Sequence, residues 1–313
     1  MIDLSIVIAS WNVCSLLRRC LHSIFEASIQ HPASSVEIIV VDNASTDGSV
    51  EMVRVEFPSV HLIANTDNRG FPAANNQGIV VAHGRYVLLL NPDTEVIGDA
   101  LTTMVAFADM HLDVGMVGPQ LLTPDGSVQS SRRRFPTLLT AFFESTWLQP
   151  YAPRGLLEQY RVLDRPDDVV QDVDWLYGAA LMARREAIEQ VGPMDEGFFM
   201  YSEELDWCRG FRDAGWRVVY LPTAQIIHHG GKSSEQVVVA RHIHFQTSKV
   251  RYFRKYHGRI AAEALRLFLL GSYVWQLALE GAKWLLGHKR PLRASRIAAY
   301  RQVLRSGLRR ARR

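Results

Sequence analysis

Three carboxylates, Glu203, Glu204 and Asp206, fall within four positions, with Phe198, Phe199, Tyr201 and Trp207 around them. Acidic residues in a first helical turn complement the helix dipole, which by itself accounts for such a cluster. A carboxylate buried beside like charge and apolar rings is also a better proton acceptor near neutral pH, so the cluster is a candidate general base. Asn91-Pro92-Asp93 sets an amide and a carboxylate two residues apart. Hard divalent cations such as Mg²⁺ and Mn²⁺ take oxygen ligands and often need only one or two carboxylates plus substrate phosphates. A proline turn whose aspartate caps the next helix remains the plainer alternative. Farther on, His228-His229-Gly230-Gly231-Lys232-Ser233-Ser234 offers ring nitrogens for a metal and donors for phosphate. Two earlier polar loops, Ala9-Ser10-Trp11-Asn12 and Asp42-Asn43-Ala44-Ser45-Thr46-Asp47-Gly48, hold groups suited to a nucleoside or to helix capping. Asn68-Arg69-Gly70 adds a cation and a glycine at a helix start, a pattern suited to phosphate.

Short apolar, β-branched runs recur at Leu4 to Ala9, Val36 to Val41, His61 to Ala64, Tyr86 to Leu90, and Gly115 to Val117, and the first four lead into the loops at Ala9, Asp42, Asn68 and Asn91. The spacers have helical periodicity, as in Val13, Leu16, Leu17, Cys20, Leu21 and Ile24. The alternation predicts an α/β fold with a mostly parallel sheet flanked by helices and ligands at the carboxyl ends of the strands. A hairpin is expected around Pro124-Asp125-Gly126, a loop region from Gln149 to Asp172, and a strand from Asp172 to Ala183. A helix over Ser202 to Asp213 and a strand over Arg217 to Leu221 follow, and from Arg241 onward the pattern is helical. No G-x-G-x-x-G follows a strand and no P-loop motif occurs, which disfavours a dinucleotide fold or a P-loop.

With 313 residues, 48% of them hydrophobic, the chain has material for one large core or a core with an appendage. The net charge is +3, yet the eleven charged residues after Glu280 are all basic, so the remainder is net acidic. Cys14, Cys20 and Cys208 are too few for a disulfide framework or a zinc site and suit a reducing cytosol. The N-terminus lacks a signal-peptide pattern, so the expected place is the cytoplasm.

The run without charges from Leu267 to Leu279 reaches only about 20 Å as helix against a hydrocarbon core of about 30 Å, which points to an in-plane helix. The last segment sets Ile297, Tyr300, Leu304 and Leu308 on one face and Arg301, Arg305 and Arg309 on another. That pattern suits an anionic membrane surface, a solvated surface helix or a dimer contact, and it comes without any nucleic-acid recognition motif.

Taken in order, Ser5-Ile6-Val7-Ile8-Ala9-Ser10-Trp11-Asn12, Val41 to Ser49, Asn68-Arg69-Gly70-Phe71, Asn91-Pro92-Asp93, Glu203 to Asp206 and His228 to Gly231 resemble family 2 of the inverting nucleotide-sugar glycosyltransferases. The resemblance covers roughly residues 3–255 and is strongest to the bacterial rhamnosyltransferase-like branch, which acts on cell-wall or O-antigen lipid intermediates. It implies the GT-A fold, Rossmann-like, with a C-terminal helical membrane-associating extension. The implied division is a catalytic domain over 1–240, with a nucleotide-binding half at about 1–119 and an acceptor and base half at about 120–240, then a helical basic region over 241–313.

By position, the resemblance puts Asp42 on the nucleoside, flanked by Ala9, Ser10 and Asn12, with Asn68, Arg69, Gly70 and Asn91 completing the donor site. Asp93, in a D-x-D position whose first residue here is Asn91, and His228 become the metal ligands for Mg²⁺ or Mn²⁺. Glu204 becomes the base, with Glu203 and Asp206 beside it, although the family often has Asp there. The implied reaction is single displacement from a dTDP- or UDP-sugar, with dTDP-rhamnose the leading donor, onto a glycan or polyprenyl-diphosphate-linked acceptor. The implied setting is the inner face of the cell membrane, and a homo-oligomer stays open. Two rivals stand beside this reading: an inactive family member serving as a binding subunit, and a nucleotidyltransferase. The second would need a glycine-rich basic N-terminal loop, which Ala9-Ser10-Trp11-Asn12 is not.

Overall fold

The computed structural model describes residues 2–30, 35–144, 146–230 and 238–309. The chain opens with β1 (Leu4–Ser10), α1 (Cys14–Gln30), β2 (Val36–Asp42), α2 (Ser49–Glu56), β3 (His61–Ala64) and α3 (Phe71–Val81). It continues with β4 (Tyr86–Leu90), β5 (Thr94–Val96), α4 (Ala100–Met110), β6 (Val114–Leu122), β7 (Val128–Gln129) and β8 (Arg132–Arg133). Then come α5 (Leu138–Phe143), α6 (Leu156–Tyr160), β9 (Gln171–Asp172), β10 (Trp175–Leu176), β11 (Ala180–Arg184), α7 (Arg185–Val191), α8 (Glu203–Asp213) and β12 (Arg217–His228). The last elements are α9 (Val238–Tyr256), α10 (Gly258–Leu285) and α11 (Arg290–Ser306). Two compact units result, one of residues 1–135, 158–199 and 203–233, the other of 136–157, 200–202 and 234–313.

In the first unit the sheet runs β3-β2-β1-β4-β11-β6-β12-β5. Strands β3, β2, β1 and β4 are mutually parallel, β11 enters antiparallel between β4 and β6, and β12 is parallel to β6. The strands are apolar on both faces because both are covered. Ile6, Ile8, Leu88 and Leu90 meet Leu17, Leu21, Ile24 and Met104 from α1 and α4 in one buried cluster. On the opposite face α3 comes so near β1 that a Cβ on Gly78 would lie 2.2 Å from Val7 Cγ1. The parallel register joins Ser10 to Asp42, the antiparallel one joins Leu90 to Ala180, and His228 lies opposite Thr94. The ends of β1, β2, β4 and β12 and the start of β11 therefore share one sheet edge.

The hairpin at Pro124-Asp125-Gly126 forms, with Leu122 opposite Val128 and Gly126 left-handed at φ 83°. A single strand from Asp172 to Ala183 does not form. It breaks into β9 against β12, β10 against β8 in a separate two-stranded sheet, and β11 in the main sheet. Asp174 turns aside at the first break to accept the Phe135 N–H at 2.7 Å. β12 runs seven residues beyond Leu221, the end expected from sequence, because a bulge between Leu221 and Gln225 absorbs Pro222, which has no N–H for a ladder. The expected loop region after Gln149 carries α6.

In the second unit α9, α10 and α11 pack on one another. Of the apolar stripe expected to face lipid from the last helix, Leu308 is buried and Ile297, Tyr300 and Leu304 are partly buried. Val303 and Leu308 are buried, and the Tyr300 ring lies 5.6 Å from that of Tyr273 on α10. Arg301, Arg305 and Arg309 remain exposed, and Arg310, Arg312 and Arg313 lie outside the described residues. Leu267 to Leu279 forms the middle of α10, and no described helix is long and apolar enough to cross a membrane.

Candidate active site

The loops after β1 and β2 are knitted together. Asn12, left-handed at φ 51°, donates its N–H to Ser45 Oγ at 2.9 Å and accepts the Thr46 N–H at 2.7 Å. Asp42 is buried, and its Oδ1 accepts the Ser45 N–H at 2.8 Å. Its Oδ2 has no hydrogen-bond partner, and the same holds for buried Ser10 Oγ. Asp42 thus caps its loop and keeps one carboxylate oxygen unpartnered. Buried polar atoms without partners are costly and mark places where a polar ligand replaces water. Ala9 lies partly buried just before Ser10.

The turn at Asn68-Arg69-Gly70 uses its backbone donors within the fold. Gly70 N–H goes to Asn68 Oδ1 at 3.0 Å and Phe71 N–H to the Phe199 carbonyl at 2.8 Å. Pro72 follows in the first turn of α3 and has no N–H. The Gly70 and Phe71 donors are therefore already engaged and not open to a phosphate at this helix start. Arg69 is half-exposed and lies 3.5 Å from Asp67, outside the buried group. Gly70, at φ 87°, is required, since a Cβ there would lie 2.5 Å from the Phe199 carbonyl oxygen.

Asp93 and His228 do meet, buried, with Oδ1 and Nε2 3.4 Å apart. Gln129 Oε1 lies 2.8 Å from His228 Nδ1, so Nδ1 carries the proton and donates it there. Nε2, turned toward Asp93, makes no hydrogen bond. The backbone closes the pair, with His229 N–H donating to the Asp93 carbonyl at 2.8 Å. His229 itself turns away to Glu95, its Nε2 at 2.6 Å from Oε1. Asn91 Oδ1 is also buried without a partner. Among the described residues no group of three or more His, Cys, Asp or Glu side chains is placed to hold a metal ion. The donor set is one imidazole nitrogen, one carboxylate and a nearby amide oxygen, which fits a divalent cation only if diphosphate oxygens fill its remaining positions. Gly231, Lys232, Ser233 and Ser234 lie outside the described residues.

The three carboxylates of α8, Glu203, Glu204 and Asp206, are all buried in its first turn. They are preceded by two non-glycine residues in left-handed backbone, Tyr201 at φ 71° and Ser202 at φ 65°. Such conformations cost of order 1–3 kcal/mol each and gather at functional sites. A short bridge, Tyr177-Gly178-Ala179, relates this turn to the metal-like pair. The Ala179 carbonyl accepts the Asn91 N–H at 2.9 Å, the Tyr177 ring stands edge-on to His228 at 5.8 Å, and a Cβ on Gly178 would lie 3.3 Å from Glu204 Cβ. Neither Gln129 nor this bridge stands out in the sequence. Gln129 is 99 residues from His228, and only the hairpin turn hints that it reaches this edge.

Three buried carboxylates, a histidine–aspartate pair and a buried aspartate with one unpartnered oxygen thus gather at the carboxyl edge of an α/β sheet. Comparison with known proteins agrees. The sequence profile described as Glycosyl transferase family 2 matches residues 5–170. The N-acetylglucosaminyl-diphospho-decaprenol L-rhamnosyltransferase of Mycobacterium tuberculosis is 28% identical over 289 residues, 89% of this chain and 86% of the relative. The low-salt glycan biosynthesis hexosyltransferase Agl10 of Haloferax volcanii is 25% identical over 254 residues, 78% of this chain and 77% of the relative. Among solved structures, the mannosyltransferase PcManGT from Pyrobaculum calidifontis, in complex with GDP-Man and Mn²⁺, superposes with a TM-score of 0.57. It is 18% identical, and the match covers 98% of this chain and 84% of that one, a likeness that establishes the GT-A fold. With the family profile matching more than half of its length, the chain is a nucleotide-sugar glycosyltransferase and belongs to glycosyl transferase family 2.

Proposed function

We propose that this chain transfers L-rhamnose from dTDP-β-L-rhamnose, with inversion, to a glycan on a polyprenyl-diphosphate carrier at the cytoplasmic face of a membrane. The observation that carries the chemistry is the His228–Asp93 pair, oriented by Gln129, at the same sheet edge as the unsatisfied Asp42 Oδ2. The choice of sugar and of lipid-linked acceptor draws support from the Mycobacterium tuberculosis relative.

In this reading Asp42 Oδ2 and Ser10 Oγ take hydrogen bonds from the nucleoside, and the knitted Asn12–Ser45 loop holds its shape. Asn68, Arg69 and Asn91 present side chains toward the diphosphate. His228 Nε2 and Asp93 hold Mg²⁺ or Mn²⁺, which when bound stabilises the negative charge gathering on the leaving diphosphate. Glu204 takes the proton of the acceptor hydroxyl while that oxygen bonds to the anomeric carbon and the carbon–diphosphate bond breaks on the opposite face. One α-L-rhamnoside, one dTDP and a protonated Glu204 result. Glu203 and Asp206 flank that carboxylate within the same turn.

The test begins with binding, since a ligand specific to the native state raises its melting temperature. dTDP-rhamnose with Mn²⁺ should raise it more than either alone, and NMR of the transfer product should show the α anomer. Glu204→Gln should keep the thermal shift and lose transfer by a factor of about 10²–10⁴. Near-normal turnover in Glu204→Gln would move the base to Glu203 or Asp206. No shift with any nucleotide sugar would favour the inactive-subunit alternative.

A further inference from the structure

Helix α10 carries apolar residues on both of its sides. Its buried side mixes Ala262, Leu265 and Leu269 with Arg266, Ser272 and Glu280. Its outer side, a sector of about 140° at 3.6 residues per turn, contains no charged residue between Ile260 and Leu285. Ile260, Leu267, Val274, Trp275, Leu279 and Leu285 are all exposed along that sector, with small residues filling the gaps. Single exposed apolar side chains are ordinary on a soluble surface, but a continuous stripe along about 38 Å of helix marks a contact surface. Trp147, also exposed and in the same unit, widens it, its ring 6.4 Å from that of Trp275.

Charge identifies the occupant. Lys283, Lys289 and Arg290 are exposed where the stripe ends, and Arg301, Arg305 and Arg309 are exposed on α11. No carboxylate follows Glu280 in the sequence, and Glu280 is itself buried against Arg293 at 2.8 Å. A second copy meeting this face about a two-fold axis would bring the same cations, and the carboxylate beside the stripe, Glu263, is already paired with Arg254 and Arg266. Lipid phosphates would neutralise them, and tryptophans beside an apolar stripe belong at the level of lipid headgroups.

We infer that the outer face of α10 lies in the plane of an anionic bilayer, with the Ile260-to-Leu285 stripe in the headgroup boundary and the flanking lysines and arginines on lipid phosphate. The inference rests on the membrane-surface reading above and names the face that makes contact.

The full chain should sediment with vesicles of equal parts phosphatidylcholine and phosphatidylglycerol, without donor or acceptor, and much less with phosphatidylcholine alone. The variant Val274→Ser, Trp275→Ser, Leu279→Ser should lose at least about tenfold in partitioning. Lys283→Gln with Arg290→Gln should lose about fivefold per cation removed, and only on the anionic vesicles. Val80→Ser, an exposed apolar change on α3, should partition as the unaltered chain does. All variants should keep the melting temperature and transfer to a water-soluble acceptor, which separates this test from the fate of the transfer reading. Unchanged sedimentation of the triple variant would overturn the inference. So would a dimer in solution that the triple variant converts to monomer, since the stripe would then be covered by a second copy.

Discussion

A histidine ligates a metal through the nitrogen that carries no proton, so whatever binds its other nitrogen decides whether it is a ligand at all. At His228 that decision belongs to Gln129, a residue on a two-residue strand whose amide oxygen accepts from Nδ1. Gln129→Leu removes the acceptor and leaves the carboxylate and imidazole in place. If the pair holds a cation, the Mn²⁺ concentration that half-saturates the donor-dependent thermal shift should rise about 10- to 100-fold in this variant. Binding of dTDP without metal should change little. An unaltered Mn²⁺ requirement would mean that His228 serves only as a buried partner of Asp93. The cysteines carry no such burden of chemistry: burial pushes the Cys20 and Cys208 thiols up to about 12, leaving both as packing residues.

At the scale of elements, the site depends on helices lying close enough to the sheet to bring loop and strand end together. Gly78 is the closest approach of α3, and an alanine there gains about 1 kcal/mol of helix propensity while driving its methyl into Val7. Overpacking a core costs about 1–3 kcal/mol, so Gly78→Ala should be net destabilising in denaturant melts, and Val7→Ala added to it should recover part of the loss. Equal or greater stability in Gly78→Ala would mean that α3 shifts freely on β1. The strand-end loops at Asp42, Asn91 and His228 were legible in the sequence because strand, turn and helix start are written within about ten residues. What was not legible depends on distant partners. The antiparallel entry of β11 between β4 and β6, the three-way break of the segment after Asp172, and the capture of the Phe71 donor by the Phe199 carbonyl are settled by groups far along the chain. The uncharged run from Leu267 was visible, but which side of its helix faces outward depends on how α9 and α11 cover the other.

Across the first unit, opposite ends of the sheet have different work. The carboxyl edge carries the unsatisfied polar groups, and the amino edge is tied by a cluster of charge around Arg85. Its guanidinium bonds Asp109 at 2.6 Å and Asp3 at 2.8 Å, and the Tyr86 hydroxyl donates to Asp109 at 2.7 Å. The Arg85 hydrogen bond holds the Asp109 carboxyl below the usual carboxylate range, and the Ser35 backbone N–H, then Arg85, does the same for Asp3. A depressed folded-state value means that the unfolded chain binds more protons as the pH falls through the unfolded value near 4. The stabilisation is therefore complete above that value and is lost as the pH drops further through the folded values. These groups are partly exposed, so each pair is worth about 1 kcal/mol or less, and the signature lies in the slope. Asp109→Asn should lower the melting temperature slightly at neutral pH and flatten its decline below about pH 4, because one of the titrating groups is gone. Since Asp109 stands at the edge away from the reactive groups, sugar transfer at neutral pH should match that of the unaltered chain. An acid decline as steep as before would place the proton-linked stability elsewhere, and a loss of transfer would show that the two edges are not independent.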